Sequence, residues 1–395
     1  MQILADTAER LELGGKDFKI SFNKTTGFID RFEAKGELLL SEGPVPQFAR
    51  AYMSTDGWNR NAWTTVDRNL PTPQFESAPS EDGRAVAVNI TYPLTVIDST
   101  SFVDMHYTVY CNGAVRVDTS LRTQDNSQLY RFGADLVMPE GFETVTWFTK
   151  GPFENFNDRM TGSYMGQYTT TVTENFTDYM KPQHSGSHQD TRWMALSGDD
   201  KAAGLLVVAT GGQHFEANAQ HFKWRDLVDQ RHLYQVHPRE ETILSVNYAS
   251  RGTGGQSTGP ETLPQYRLPA GNYSYSYTLV PFKQGEDVNA VSKFYMDDVQ
   301  FKTNTFSLTA AVENDAIKAE LNYTSGADKP CRVILGIYDG SGRLVYTDIA
   351  DITAKPNTQN SVVFTPDTTY KGNAYKVFAW EELNPLCKPA EGIYQ

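Results

Sequence analysis

The sequence predicts an all-β protein, and three observations support that prediction. Apolar and polar residues alternate through many short segments, as they do in strands with one buried face. In residues 102–122 the alternation continues on both sides of Asn112-Gly113, and an Asn-Gly pair in that position is the strongest short signal for a β-hairpin. Helical periodicity is scarce; its clearest instance, "DVNAVSKFYMDD" at residues 287–298, predicts one short helix.

The composition limits the classes of function that the chain can serve. The chain has 395 residues, enough for two domains or for one large all-β unit plus a smaller one, and hydrophobic residues make up 39% of it, enough for a core. The net charge of −13 argues against nucleic-acid binding, because phosphate contacts depend on Lys and Arg. No apolar run approaches the roughly 18 residues of a membrane helix and no signal peptide is visible, so we expect a cytoplasmic protein with no membrane partner. The cysteines Cys111, Cys331 and Cys387 are widely spaced, which suits a reducing compartment and predicts neither a disulfide framework nor a zinc site.

The order of the strand patterns predicts two domains. Strand patterns fill the part of the chain before the predicted helix, and a second set of short strands follows it. We therefore predict a first domain at residues 1–284, a connector with the short helix at residues 285–302 and a second domain at residues 303–395. The short strands and turn-rich segments of the second domain are typical of an immunoglobulin-like β-sandwich.

The segment "GPFENFNDR" at residues 151–159 places Glu154, Asp158 and Arg159 close together in the sequence. Two carboxylates that flank a glycosidic bond are the usual catalytic groups of a glycosidase. An arginine beside two acids more often belongs to an ion-pair and hydrogen-bond cluster that holds a loop. We interpret the three residues as such a structural cluster, and removal of one partner should cost about 3–5 kcal/mol if the cluster is buried.

Histidines and tryptophans supply two further candidates. His184 and His188 stand four residues apart and could share a metal ion on a helix, but Ser185-Gly186-Ser187 between them favours a loop without a metal site. Tryptophan rings stack on sugars, although in a β-protein they more often belong to the core. Trp58 lies in the polar stretch "STDGWNRNAW" and is the tryptophan that we most expect to be exposed, as a candidate for sugar stacking.

The segment "RGTGGQSTGP" at residues 251–260 contains four glycines. A phosphate-binding loop would end in lysine followed by serine or threonine at the start of a helix, whereas this segment ends in Gly259-Pro260. The glycines instead indicate a loop whose backbone takes positive φ angles and packs closely against a neighbour.

Four segments in the same order resemble the C-terminal module, or small chain, of the bacterial β-galactosidases of glycoside hydrolase family 2. The resemblance spans about residues 10–283 and rests on "VPQFARAYMSTDGWNRNAW", "GPFENFNDR", "YMKPQHSGSHQDTRW" and "RGTGGQSTGPETLPQYRLPAGNYSYSYTLVPF". It implies a galactose-mutarotase-like β-supersandwich in a protein of the bacterial cytoplasm. Three positions depart from the family pattern: Tyr52 replaces a proline, His184 replaces a glutamate, and the glycine-rich loop lacks the tryptophan that some members place beside the sugar.

The resemblance also implies what this chain does and what it lacks. In the family both catalytic glutamates sit on a (β/α)₈ barrel of about 250 residues, and no alternating strand and helix pattern of that kind occurs here. We therefore expect a non-catalytic part of a β-galactosidase that is inactive alone, needs no cofactor and has the barrel, in cis or in trans, and a galactoside as its partners. The glycine-rich loop would help close the active site, with Gln256, Ser257 and Thr258 facing the substrate.

Two alternatives to that function remain open. A free-standing carbohydrate-binding module would bind galactosides through an exposed aromatic platform. The fold by itself would permit an aldose mutarotase, but that enzyme would need a histidine and a carboxylate that converge in one cleft as acid and base.

Overall fold

The computed structural model describes residues 1–53, 56, 61–80, 83–228, 230–255, 261–296, 306–323, 328–355, 358–381, 384–387 and 389–395. It divides into two compact units, Met1–Ser292 and Lys293–Gln395, and the division falls inside the predicted short helix, which spans Val288–Met296. The domain bounds expected from the sequence, residues 1–284 and 303–395, remain predictions about independent folding.

Unit 1 is built from antiparallel strands. Its strands are β1 Gln2–Asp6, β2 Arg10–Gly14, β3 Phe18–Asn23, β4 Ile29–Ala34, β5 Glu37–Leu40, β6 Glu42–Gln47, β7 Gln74–Pro79, β8 Ala85–Pro93, β9 Phe102–Tyr110, β10 Val115–Arg122, β11 Gln128–Leu129, β12 Arg131–Met138, β13 Thr144–Gly151, β14 Tyr164–Thr171, β15 His188–Thr191, β16 Trp193–Ser197, β17 Ala203–Ala209, β18 Phe215–Gln220, β19 Thr242–Ser250, β20 Leu268–Pro269 and β21 Tyr273–Lys283. Its helical segments are the 3₁₀ turns Ala62–Arg68, Leu233–Gln235 and Pro264–Tyr266, the one-turn helix α1 Trp224–Leu227 and the first part of helix α2 Val288–Met296, which continues past Ser292.

Two large sheets contain almost all of these strands. The first has the order β1-β2-β3-β4-β6-β12-β19-β18-β15, with β5 paired to β4, and the second has the order β14-β13-β16-β17-β21-β10-β9-β8-β7. The predicted Asn112-Gly113 hairpin is the turn between β9 and β10, in which Val109 pairs with Val115. The prediction of an all-β sandwich is therefore confirmed.

One continuous hydrophobic core fills the space between the two sheets, and it receives alternate residues from most of their strands. Strand β12 contributes Phe132, Leu136 and Met138, and the central strand β21 contributes Tyr275 and Tyr277. Long alternating strands therefore supply most of this core, and the 3₁₀ turn Ala62–Arg68 adds Trp63 and Val66.

The opposite face of the first sheet is also buried, and it is polar. Strands β12, β18 and β19 are buried along nearly their whole length, although every second residue of β18 and two residues on the same face of each of β12 and β19 are hydrophilic. The buried polar side chains on this face are Arg131, Asp135, Glu216, Asn218, Gln220, Ser245 and Asn247. We call these seven residues the polar layer. Buried polar groups need partners, so this layer places hydrogen-bonding requirements on the segments that cover it.

Unit 2 consists of two smaller antiparallel sheets with orders β22-β23-β26 and β25-β24-β27-β28, and β29 pairs with β27. Its strands are β22 Phe306–Glu313, β23 Ala316–Tyr323, β24 Lys329–Tyr338, β25 Leu344–Ala354, β26 Gln359–Phe364, β27 Ala374–Glu381, β28 Asn384–Pro385 and β29 Ala390–Ile393, with a 3₁₀ turn at Thr368–Tyr370. Ile317 and Phe364 from one sheet pack with Val333 and Val377 from the other. The immunoglobulin-like assignment of this unit remains a prediction.

Candidate functional site

Glu154 and Asn155, in the turn after β13, hold the backbone that leads into β15. Glu154 accepts a hydrogen bond from the Gly186 N–H at 2.7 Å, and the Tyr179 hydroxyl donates to the same carboxylate. Asn155 Oδ1 accepts from the Gln189 N–H at 2.8 Å, and the Asn155 N–H donates to the Ser187 carbonyl at 2.8 Å. These two side chains thus fix the segment that contains both candidate histidines.

Asn157 and Asp158, in the same turn, hold the glycine-rich loop at its first limb. Asp158 accepts hydrogen bonds from the Thr253 N–H at 2.9 Å and the Gly254 N–H at 2.7 Å. Asn157 Nδ2 donates to the Ser250 carbonyl at 3.0 Å, at the end of β19. A carboxylate that accepts from two successive backbone amides sets the direction in which the loop leaves the sheet.

A buried group of ion pairs also holds the start of the glycine-rich loop, through Arg50. The guanidinium of Arg50 binds both carboxylate oxygens of Asp56, at 3.1 and 2.8 Å, and both side chains are fully buried. The same guanidinium donates to the Arg251 carbonyl and to the Gly252 carbonyl, the second at 3.3 Å. Arg251 in turn contacts Asp56 at 3.3 Å and Glu261 at 2.7 Å. The segment after β6 and both limbs of the glycine-rich loop therefore share one charge-paired group.

Two glycines are required by this close packing. A Cβ atom on Gly252 would lie 2.7 Å from the Asp158 carboxylate, and one on Gly254 would lie 2.6 Å from Thr262 Oγ1. Gly254 also has a φ of +61°, which side chains other than glycine rarely adopt. The predicted close approach is confirmed at both glycines, and the predicted positive φ is confirmed at Gly254.

His184 and His188 are both buried, and His184 lies beside Glu216 of the polar layer. His188 stacks on Trp147 with ring centroids 4.3 Å apart, its Nε2 lies 2.8 Å from Asn175 Oδ1, and burial lowers its pKa to about 3. His184 Nε2 lies 4.0 Å from Glu216 Oε1. Burial, together with the charges of Arg50 and Arg131, holds the pKa of His184 well below its usual range. Both rings are therefore neutral near pH 7.

The structure separates the three residues predicted to form one cluster. Arg159 donates to Glu154 at 2.7 Å, whereas Asp158 makes a different set of contacts, with Thr253 and Gly254. The Arg159 side chain is 50% exposed and that of Glu154 only 10%, so the pair lies at the surface on its arginine side. The structural role of the three residues remains a prediction, but the condition of full burial does not hold for Arg159.

The other predicted site residues fall outside the described part of the chain. These are the candidate for sugar stacking, Trp58, and the substrate-facing residues Gln256, Ser257 and Thr258. Arg50, Asp56 and Arg251 were not anticipated as site residues. The sequence does show charged residues both at Phe48-Ala49-Arg50 and beside the glycine-rich loop. No local pattern, however, could show that Arg50 contacts a residue 201 positions away.

Two chemical properties concern the described residues as a whole. They contain no group of three or more His, Cys, Asp or Glu side chains arranged to hold a metal ion. None of their helices combines the length and the apolar character needed to cross a lipid bilayer.

Comparison with known proteins supplies the family. Residues 14–279 match the family described as beta galactosidase small chain. The chain is 27% identical over 269 residues to the beta-galactosidase of Staphylococcus xylosus, covering 67% of this chain and 27% of that protein. It is 27% identical over 281 residues to the enzyme of Priestia megaterium, with 69% and 26% covered, and 25% identical over 275 residues to that of Actinobacillus pleuropneumoniae, with 69% and 27% covered.

The chain thus spans about a quarter of the length of the curated relatives that it matches. Among solved structures, the heparan sulfate lyase HepC from Pedobacter heparinus aligns with a TM-score of 0.37 and 7% identity, over 80% of this chain and 40% of that one, which is too distant to bear on function. The family match, by contrast, extends over more than half of the chain and includes the turn of Glu154 to Arg159 and the first limb of the glycine-rich loop. The chain belongs to the beta-galactosidase small-chain family.

Proposed function

We propose that this chain is a non-catalytic part of a β-galactosidase, which packs on a catalytic (β/α)₈ barrel and helps to close its active site over a galactoside. The observation that carries the proposal is the double anchoring of the glycine-rich loop. Asp158 holds the Thr253 and Gly254 amides, and Arg50 holds the Arg251 and Gly252 carbonyls. A loop that contacts a substrate on another domain needs such a fixed base, because positioning errors at its base are carried to its tip.

Family membership supports the rest of the proposal. The relatives are beta-galactosidases about four times as long as the matched segment, so most of each relative lies outside the part that this chain resembles. We infer that the catalytic carboxylates belong to such a part and that the chain alone does not hydrolyse galactosides. The pairing of Glu154 with Arg159, Tyr179 and a backbone amide also fits a structural carboxylate better than a catalytic one.

The test compares the chain alone with the chain joined to its catalytic partner. The purified chain should hydrolyse a chromogenic β-galactoside no faster than buffer, and co-expression with the barrel-bearing β-galactosidase segment of the source organism should produce turnover. Asp158→Asn should reduce that turnover, whereas Asp199→Asn, an exposed residue far from the loop in sequence, should not. Hydrolysis by the chain alone that Glu154→Gln abolishes would contradict the proposal.

One observation favours the aldose mutarotase as a second candidate. His184 and Glu216 bring a histidine nitrogen and a carboxylate oxygen to 4.0 Å, which are the group types that acid–base opening of a sugar ring requires. The two side chains are only 6% and 1% exposed. Residues 184–189 cover this part of the polar layer, because the Ser185 carbonyl accepts from Asn218 and Gln220 and Gln189 donates to Glu216. A sugar would reach His184 and Glu216 only if that segment moved. Polarimetry of freshly dissolved α-D-galactose decides the matter: a rate of equilibration above that of buffer, lost in Glu216→Gln, would establish this function.

A further inference from the structure

A pocket of about 370 Å³ opens on the surface of unit 1, between the 3₁₀ turn Ala62–Arg68 and helix α1. The residues that matter for its chemistry are Tyr52, Asn61, Thr65, Arg68, Trp224 and Arg225. Its volume lies in the range of pockets that enclose small molecules, and it combines aromatic rings with several hydrogen-bonding groups. None of the contacts described above for the glycine-rich loop involves these six residues.

The walls of the pocket are held in place before any ligand arrives. Arg225 Nε donates to Asp67 at 2.7 Å, and its Nη2 donates to the Thr64 carbonyl at 2.9 Å, which ties α1 to the 3₁₀ turn. The Arg225 guanidinium also covers the Trp224 ring, 4.1 Å from the ring centroid. Trp224 Nε1 donates to Gln47 at 3.0 Å, so its indole cannot rotate freely. Such prior ordering lowers the entropy that binding would cost.

The polar groups of the pocket include both donors and acceptors. Arg68 is exposed and offers guanidinium N–H groups to the pocket that it lines. The Asn61 side chain donates to the Gln128 carbonyl, while its Oδ1 is buried and has no hydrogen-bond partner among the described residues. The Thr65 hydroxyl donates to the Ala62 carbonyl at 2.8 Å and keeps its oxygen free to accept. An unsatisfied acceptor beside charged donors suits a ligand whose groups both donate and accept.

We propose that this pocket binds the pyranose ring of a β-galactosyl unit. Sugar hydroxyls donate and accept at once, which matches Arg68 on one side and Asn61 and Thr65 on the other. The apolar C–H face of the ring would meet Tyr52, whose ring packs edge to face against Trp224 at 6.3 Å, because Trp224 itself is buried and covered by Arg225. Arg225 is paired with Asp67, so Arg68 is the arginine whose N–H groups a sugar hydroxyl would meet. The choice of galactose among sugars rests on the proposed function.

Calorimetric titration of the full chain with methyl β-D-galactopyranoside, up to about 50 mM, tests the proposal. Wild type should bind, and Arg68→Ala should weaken binding about tenfold or more, since hydrogen bonds to charged groups contribute that much. Arg343→Ala is the matched control, because it removes an exposed arginine of unit 2 and should change the affinity less than twofold. Thr65→Val, also exposed, should weaken binding through loss of an acceptor and keeps the test valid if Arg68→Ala misfolds.

Hydrogen exchange locates the sugar in the same samples. Added galactoside should slow exchange of amides in Ala62–Arg68 and Trp224–Leu227 and leave unit 2 unchanged. Absence of binding by wild type, equal binding by Arg68→Ala and Thr65→Val, or protection confined to other segments would each overturn the proposal. Complementation of the barrel without sugar binding by this chain would overturn the pocket and leave the proposed function standing. Sugar binding with no complementation would overturn the proposed function and leave the pocket standing.

Discussion

Individual side chains in this protein act mainly by holding backbone from distant segments. Glu154, Asn155, Asn157 and Asp158 lie within five residues, and each accepts from or donates to the main chain of another segment. Glu154 and Asn155 hold the segment that leads into β15, whereas Asn157 and Asp158 hold the end of β19 and the glycine-rich loop, which explains why the turn needs so many polar residues. Substitution of one of these side chains should therefore destabilise the segment that it holds, and the loss of stability should be larger when the side chain is more buried.

The ion pair of Glu154 and Arg159 allows the effect of burial on stability to be measured, because Glu154 is mostly buried and Arg159 is half exposed. Glu154→Ala should lower the free energy of unfolding by about 1–3 kcal/mol, because it leaves the Gly186 amide and the Tyr179 hydroxyl without their acceptor. Arg159→Ala should cost about 1 kcal/mol or less, since the guanidinium is half exposed and water can replace the lost contact. Urea unfolding gives both values, with the exposed Glu140→Ala as control. A larger loss for Arg159→Ala than for Glu154→Ala would contradict this account.

His188 should make stability depend on pH. Burial lowers its pKa from 6.5 to about 3, so the unfolded chain takes up a proton that the folded chain excludes. The stabilisation is complete above pH 6.5 and is lost as the pH falls toward 3, by about 1.4 kcal/mol per pH unit for one such histidine. The lowered pKa of His184 acts in the same direction.

Urea unfolding of His188→Gln between pH 7 and pH 4 tests this linkage. The variant should be less stable than wild type at pH 7, but its stability should fall less steeply below pH 6. His232→Gln, which replaces an exposed histidine, should keep the wild-type slope. Equal slopes for wild type and His188→Gln would show that His188 is not the group responsible.

At the scale of elements, the hairpin of β9 and β10 depends on one backbone conformation. Gly113 has a φ of +86°, and a Cβ atom there would lie 3.2 Å from the Phe18 ring. Gly113→Ala should therefore destabilise unit 1 by about 1–2 kcal/mol through the left-handed conformation alone. Gly162→Ala, with no atom within 4 Å of its Cβ and no positive φ, should be neutral in the same thermal unfolding experiment. Equal melting temperatures for the two variants would show that the turn can adopt another conformation.

At the scale of the whole molecule, the two units should unfold separately. Unit 1 contains its own closing strand, since β21 lies between β17 and β10 in the middle of the second sheet, and unit 2 has a core of its own. A chain that ends at Ser292 should fold and show the thermal transition that unit 1 shows in the full chain. Calorimetry of the full chain should resolve two transitions. Insoluble protein from the shorter chain, or one transition in the full chain, would show that the units stabilise each other.

The sequence by itself determined much of the fold, because the alternation that indicates a strand is visible within a short stretch of sequence. The period-two alternation identified β9, β10 and β21, Asn112-Gly113 identified a hairpin turn, and one short amphipathic pattern identified α2. Four ordered motifs identified the family, which the comparison confirms over residues 14–279. The sequence also indicated that Glu154 and Arg159 lie near each other, because both belong to one turn. Each of these features depends on residues that are neighbours in the chain.

Only the tertiary structure decided what covers the polar face of the first sheet and how the glycine-rich loop is anchored. The alternation in "FEANAQ" of β18 is compatible with a polar face in water, yet Glu216, Asn218 and Gln220 are buried. Arg50 reaches the Arg251 carbonyl across 201 residues, and the pocket at Trp224 joins segments more than 150 residues apart. Alternation shows which residues share a face, but the partner of that face comes from distant segments. The hydrogen bonds that a buried polar face requires can therefore be assigned only in the folded chain.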